Sequence, residues 1–336
     1  MKLAVAVRAA SAGHVPWRQI VPTASQGHDE QQLASCHSGM ERVVARLRKT
    51  YSGWSRSTSN AQMRRDWDAL FASGTAPATV QPLLADGVAA AWIRAPGARM
   101  DKVALYFHGG GFRVGSLRSH RDLMARVSAA SGCSVLGVDY RLAPEHRFPA
   151  ARDDALTVYR WLLGQGHAAH DIALIGDSAG GGLALTLALA LRDAGEPIPA
   201  AIATMSAWTD LSASRASYDS RAALDPIHQR RMILAMAANC LDEGDDPQDP
   251  RISPLFADLA GLPPLLMQVG ERETVLDDSR DFAHNAEQAG CKVTLEIWAG
   301  MIHVFQQFPE ELPEAGLAID SLGSFLRRCL SIQAMR

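Results

Sequence analysis

Several classes of protein are excluded by what this chain does not contain. Its five cysteines, Cys36, Cys133, Cys240, Cys291 and Cys329, are scattered and odd in number. None forms a C-x-x-C pair, so neither a disulfide framework nor a zinc site is indicated, and a reducing cytoplasm is the expected compartment. Basic charge is not in excess: 33 Lys and Arg face 36 Asp and Glu, for a net charge of −3. That leaves no basic footprint, and no nucleic-acid partner is expected. No apolar run approaches the roughly 18 residues a membrane span requires. Residues 1–7 open like a secretory leader, but Arg8 interrupts the apolar core early. Internal repeats and low-complexity tracts are missing too. The acidic loop at 242–249 lacks the D-x-D-x-D-G spacing of a calcium loop and reads as a solvated turn. Neither motif for a bound metal is therefore indicated.

What remains is a chain of 336 residues, 47% hydrophobic, long enough to bury a large core as one α/β domain with a small cap. Its organising stretch is Ala173-Leu174-Ile175-Gly176-Asp177-Ser178-Ala179-Gly180-Gly181-Gly182, followed at once by nine residues from Leu183 to Leu191 that are almost all Leu and Ala. The first apolar run reads as a buried parallel strand and the second as a helix apolar on every side. Between them stands a serine in a G-x-S-x-G turn, where a tight strand-to-helix elbow lifts a hydroxyl out of the sheet. Glycine suits both flanks because a Cβ there would collide with the neighbouring strand and helix. The alternative is a helix-start serine that caps the first turn.

Along the chain, residues 1–28 carry Gly13, Pro16, Pro22 and Gly27 with no sustained period and read as a loosely held arm. Leu33, Cys36, Met40, Val43, Val44 and Leu47 recur at helical spacing over 29–50, and a second helix is expected over 60–72 with Ser59 as its cap. These two helices, within residues 29–75, either pack on the core or roof a site; the roof is the preferred reading. Strands are expected at 79–84, 88–93, 103–108, 134–140, 173–177, 201–206, 265–270 and 292–298, and helices at 121–130, 153–163, 226–240 and 314–330, with another after Asp277 that carries Phe282, Ala283, Ala286 and Ala289 and ends at Gly290. Such alternation implies a mainly parallel sheet with helices on both faces, joined by right-handed crossovers. Ligand sites in such sheets lie beyond the strands' carboxyl ends. The domain organisation is thus an arm (1–28), a helical cap (29–75) and a main domain (76–336) with a cap insertion at about 210–255.

For Ser178 to act as a nucleophile it must pass its proton to an adjacent base, the developing oxyanion needs preorganised N–H donors, and the base needs a carboxylate to fix its tautomer. Donors are offered by His108-Gly109-Gly110-Gly111-Phe112, where three glycines follow a strand directly. Neither G-x-G-x-x-G nor the P-loop pattern fits there, which disfavours a phosphate cradle. His108 reads as a loop anchor. In folds with this elbow the partners follow in the order serine, acid, histidine. Downstream of Ser178 lie only His228, His284 and His303. The first two fall inside expected helices, and His303 falls in the loop after the last strand. For the acid, Glu273 lies nearest the end of the strand at 265–270. Asp277 is the competitor, explained well enough as a cap of the following helix.

Together these residues resemble the hormone-sensitive-lipase-like branch of the α/β-hydrolases, the bacterial esterases with an H-G-G-G segment. The resemblance spans roughly residues 103–304. It is carried by His108-Gly109-Gly110-Gly111-Phe112, Asp139-Tyr140-Arg141-Leu142-Ala143-Pro144-Glu145-His146-Arg147-Phe148-Pro149-Ala150, Gly176-Asp177-Ser178-Ala179-Gly180-Gly181 and Gly300-Met301-Ile302-His303. It implies the α/β-hydrolase fold, a triad of Ser178, Glu273 and His303, and an oxyanion hole from Gly110, Gly111 and Ala179. It implies further that the 140–150 run borders the site, that a helical cap covers it, and that two copies pair through the last sheet edge. In this family the acid is usually an aspartate in a D-x-L context; here Glu273-Thr274-Val275 stands instead. The activity implied is hydrolysis of small-molecule carboxylic esters with short to medium acyl chains, through an acyl-enzyme and without a cofactor. Trp54, Trp67, Met232 and Met236 are the expected lining of the substrate pocket. Amide or carbamate hydrolysis, acyl transfer on the same triad, and a ligand-binding pseudo-hydrolase are the competing readings.

Overall fold

The computed structural model describes residues 5–9, 18–22, 30–71 and 74–332. Outside the described residues lie most of the expected arm, the end of the second expected helix, and the side chains of Leu33 and Cys36.

Among the described residues ten strands form one sheet: β1 (Val5–Ala9), β2 (Arg18–Pro22), β3 (Thr79–Ala85), β4 (Val88–Arg94), β5 (Arg99–Phe107), β6 (Cys133–Val138), β7 (Ile172–Asp177), β8 (Ala201–Met205), β9 (Leu265–Gly270) and β10 (Val293–Trp298). Their order is β1-β2-β10-β9-β8-β7-β5-β6-β4-β3. Pairing is parallel from β2 across to β6 and antiparallel for β1 with β2, β4 with β6 and β3 with β4. The helices are α1 (Glu30–Ser52), α2 (Asn60–Leu70), α3 (Leu117–Ser131), α4 (Ala150–Gly164), α5 (Ala179–Asp193), the single turn α6 (Ser217–Ser220), α7 (Arg230–Cys240), α8 (Leu276–Gln288) and α9 (Pro313–Cys329).

The central strands are apolar on both faces, and successive residues feed opposite cores. Val103, Leu105 and Phe107 of β5 join Ala155, Val158 and Leu162 of α4 and the buried α5. Ala104 and Tyr106 join Leu123, Met124 and Val127 of α3 with Leu322, Phe325 and Leu326 of α9. This two-sided covering is why those strands read as continuous apolar runs rather than alternating ones. A third cluster joins Met40, Val43 and Leu47 of α1 to Met301, Ile302 and Phe305 in the loop after β10. Helix α1 therefore packs on the segment that carries His303.

Two expectations need correction. The arm is not wholly loose: its residues 5–9 and 18–22 pair with each other, and β2 runs parallel beside β10. Short edge strands take their conformation from such a partner more than from their own pattern. The helix expected over 226–240 begins only at Arg230. Asp225 Oδ1 accepts the amides of Ile227 and His228 at 3.0 and 2.8 Å, so its side chain competes with the helix for those donors and leaves His228 in the connecting loop.

Candidate active site

Five adjacent strands, β5, β7, β8, β9 and β10, send their carboxyl ends to one side of the sheet. The glycine loop, Ser178, Ser206, Glu273 and His303 follow those five ends in that order. Residues up to 195 positions apart in the chain become neighbours because parallel strands end side by side.

Ser178 occupies the turn between β7 and α5 at φ 51° and ψ −120°, a conformation non-glycine residues seldom adopt. It is held there on both sides. Its N–H donates to Met205 O at 2.9 Å, and its carbonyl accepts the N–H of Trp208 at 3.0 Å. A Cβ on Gly176 would lie 2.2 Å from the Gly180 carbonyl oxygen, and one on Gly180 would lie 2.0 Å from that of Phe107. Both flanking positions are therefore closed to any larger residue. The serine does not cap α5 through its side chain, which disposes of the capping alternative.

The Ser178 hydroxyl stands 2.9 Å from His303 Nε2, and His303 Nδ1 stands 2.8 Å from Glu273 Oε2. The network assigns the imidazole proton to Nδ1, where it meets the carboxylate, and leaves Nε2 free to accept from the serine. Burial disfavours charge on the His303 ring, but Glu273, with smaller help from Asp225 and Asp177, outweighs it and raises the ring's pKa above 6.5. Glu273 is fully buried. Its other oxygen, Oε1, accepts from the Ser206 hydroxyl at 2.7 Å and from the Gly270 amide. Ser206 Oγ in turn accepts the amide of Val304 at 3.0 Å, so one serine braces both the acid and the residue after the histidine.

Asp277 lies elsewhere. It falls inside the first turn of α8, whose N-cap is Val275, and its carboxylate accepts the amide of Ser217 at 2.9 Å. The capping role expected for it is thus replaced by a tie to α6. His284 sits within α8.

Gly110 and Gly111 have φ of 114° and 60°, and a Cβ on Gly111 would come within 2.5 Å of Met236 Sδ. Ala179 is the first residue of α5, where the amide has no intrahelical acceptor. The loop is fixed from below by Asp177, which accepts the Gly109 amide at 3.1 Å and the Tyr106 hydroxyl at 2.7 Å. The Tyr140 hydroxyl donates to His108 O at 2.5 Å, and the Tyr140 ring stacks on that of His108 at 4.3 Å. His108 therefore anchors the loop, with its pKa pushed down to about 3, chiefly by burial. Sequence reasoning does not single out Asp177, Ser206 or Asp225; Asp177 and Ser206 share the signal of a polar residue at or just past the end of a buried strand, whereas Asp225 follows exposed residues and carries no such mark.

Comparison with known proteins decides the family. Residues 104–307 match the family described by its alpha/beta hydrolase fold. The structure of an esterase from the bacterial hormone-sensitive lipase family is 44% identical, covers 87% of this chain and 98% of that one, and superposes with a TM-score of 0.84. This chain belongs to the α/β-hydrolases. Within them it falls in the hormone-sensitive-lipase branch. An acetyl-hydrolase of Streptomyces hygroscopicus is 44% identical over 238 residues, 71% of this chain and 79% of its own length. An esterase of Acinetobacter venetianus is 39% identical over 246 residues, 73% of this chain and 81% of its own.

In this hydrolase α1, α2 and the stretch between β8 and β9 line, together with the strand-end loops, a cavity of about 500 Å³ over Ser178 and His303, within the range of small-molecule sites. Trp54, Trp67, Met232 and Met236 all line it. So does Tyr51 of α1, whose ring meets those of Trp54 and Trp67 edge-on at 5.0 and 6.0 Å. Helix α2 is pinned to the segment after the glycine loop and to the 139–150 run by Arg64, which donates to the carbonyls of Arg113 and Ala143 and pairs with Glu145. Among the described residues no cluster of side chains could hold a metal ion. The acidic loop is exposed over Asp242–Asp246.

Proposed function

We propose that this α/β-hydrolase cleaves carboxylic esters of short to medium acyl chain through an acyl-enzyme on Ser178. The observation that carries the reading is the unbroken hydrogen-bond relay from Ser178 through His303 to Glu273. The serine oxygen attacks the ester carbonyl as its proton passes to His303 Nε2. The amides of Gly110, Gly111 and Ala179 receive the oxyanion, and Glu273 balances the imidazolium. His303 then protonates the departing alcohol, and a water repeats the sequence to release the acid. The acetyl-hydrolase and esterase names of the relatives support the same chemistry, as does that of an ethyl acetate hydrolase of Pseudomonas putida, 36% identical over 217 residues.

A panel of p-nitrophenyl esters from acetate to palmitate tests the acyl preference. The expected kcat/KM peaks at or below about eight carbons and falls at least tenfold by sixteen, because the cavity is closed over by the cap. Trp67→Ala should shift the optimum toward longer chains. A flat series in the wild-type protein, or an unaltered one in the variant, would contradict the proposed pocket.

The pH dependence has a definite sign. Only the neutral imidazole can accept the serine proton, so kcat/KM should rise with pH as His303 deprotonates. Glu273 holds the ring protonated to higher pH than an ordinary histidine, which puts the inflection above 6.5. A kcat/KM profile level between pH 5 and 9 would dissociate His303 from the reaction.

A cytoplasmic location belongs to the same proposal and is supported by the buried, unpaired thiols of Cys133, Cys240 and Cys291. No helix among the described residues is long and apolar enough to cross a membrane. Pairing of two copies through the last sheet edge is likewise proposed from the family likeness. Because β2 flanks β10, such pairing would use β1.

A further inference from the structure

A second histidine and carboxylate stand beside the first. The ring of His228 meets that of His303 edge to face, with centroids 4.3 Å apart and planes at 63°. Asp225 holds the loop that carries it: one oxygen accepts the amides of Ile227 and His228, and the other accepts the N–H of Thr274 at 2.9 Å and its hydroxyl at 3.3 Å. Thr274 is the neighbour of Glu273, so Asp225 ties the loop that carries His228 to the loop that carries Glu273. With four donors already on it, the Asp225 carboxylate is compensated without help from a ligand.

His228 is different. Its Nδ1 is buried with no hydrogen-bond partner, 3.9 Å from Asp225 Oδ1, beyond bonding distance. The residue lines the cavity above Ser178. Burial, with His303 adding to it, pushes the ring's pKa down to about 3, so it is neutral wherever His303 can work as a base. A neutral imidazole carries one N–H and one lone pair, and among the described residues neither nitrogen has a hydrogen-bond partner. The ring of Tyr51 stands edge-on to it at 6.4 Å, and the apolar side chains of Pro226, Ile227 and Met232 line the same cavity. An alkyl group filling this space would leave the ring nitrogens unpaired, a cost that a matching polar group removes.

The side of the cavity follows from the chemistry. The leaving oxygen must reach His303 Nε2 to receive its proton, while the oxyanion is drawn to the glycine loop. A residue packed against the His303 ring therefore borders the alcohol half of the ester. A hydroxyl group both donates and accepts, so it pairs with either tautomer of a neutral ring. A carboxylate there would face Asp225 across the ring.

We propose that His228 determines specificity by binding a hydroxyl on the alcohol half of the substrate, which makes hydroxyalkyl esters such as glycol and glycerol monoesters the preferred class. This rests on the ester-hydrolase reading above. The test compares 2-hydroxyethyl butyrate with propyl butyrate, which have equal numbers of non-hydrogen atoms, by acid release in a pH-stat. The quantity read is the ratio of their kcat/KM values, which does not depend on how much of a variant is folded. In His228→Phe that ratio should fall about tenfold from the wild-type value, the size of effect one hydrogen bond supplies. In His228→Gln, which keeps a donor and an acceptor, it should return to within about threefold of the wild type. An unchanged ratio in His228→Phe, including one in which both esters slow equally, overturns the proposal and leaves the ester-hydrolase reading intact. Turnover of neither ester by the wild-type protein overturns both.

Discussion

Ser178→Ala is expected to lower kcat for p-nitrophenyl butyrate by about 10⁴- to 10⁶-fold, the range in which removal of a triad nucleophile falls in serine hydrolases. The loss is large because the proposed attack depends on one oxygen. No other hydroxyl bonds to His303 Nε2 among the described residues, so a water must replace it with neither its position nor its activation. The amides of the glycine loop would remain, which is why a residual rate over the solution reaction survives. The fold should hardly notice. The backbone of residue 178 keeps its bonds to Met205 and Trp208, alanine meets the same φ of 51° with a Cβ of the same size, and a single partly exposed hydrogen bond of about 1 kcal/mol is lost. A thermal midpoint within about 4 °C of the wild type, measured beside the kinetics, separates this result from unfolding. A variant that keeps a tenth of the rate, or still yields a p-nitrophenol burst, would sink the acyl-enzyme.

How much of this site is legible without the structure depends on whether a residue's role is written in its neighbours along the chain. The elbow is such a case: the apolar strand, the paired glycines and the apolar helix are contiguous, and each constrains the others. The glycine loop is another, since three glycines after a buried strand leave few physical explanations. His303 follows from chain order and a process of exclusion. That exclusion leans on a helix at 226–240 which begins four residues later than expected, because Asp225 draws the amides of Ile227 and His228 to its own side chain. His228 is thus set aside for a reason that does not hold, although it is His303 whose ring nitrogens meet Ser178 and Glu273. Ser206 is illegible in principle. A serine at a strand end carries no mark of the glutamate and the amide it will bridge, 67 and 98 positions away. The two edge strands at the amino end are hidden for a related reason: their order comes from β10, which lies far along the chain. In the cap, the helical period identifies the helices without saying what they cover. The choice between packing and roofing has no single answer, because one apolar stripe of α1 packs on the His303 loop through Met40, Val43 and Leu47 and reaches the cavity through Leu47 and Tyr51.

Glu273→Gln and Asp277→Asn form the decisive pair for the acid. The substitutions are matched in chemistry, each replacing one oxygen by an amide nitrogen, and they fall four residues apart. The amide side chain of Glu273→Gln would present either its carbonyl or its NH₂ to His303 Nδ1. In the native protein Glu273 Oε1 receives the Ser206 hydroxyl and the Gly270 amide, and both need an acceptor. The new side chain should therefore turn its carbonyl toward them and its NH₂ toward the histidine. That forces the imidazole proton onto Nε2, where it blocks acceptance from Ser178, and removes the charge that stabilises the imidazolium. The expected loss is about 10³- to 10⁴-fold in kcat, and the residual activity should show its acid limb displaced to lower pH, because Glu273 is what raises the His303 pKa against burial. Asp277→Asn touches only the Ser217 amide and Arg280. It should cost less than about threefold in kcat and about 1 kcal/mol or less in stability. The reverse ranking would move the acid role to Asp277. Two variants of equal, modest effect would mean that His303 is oriented without a carboxylate, and the link between β9 and the chemistry would have to be abandoned.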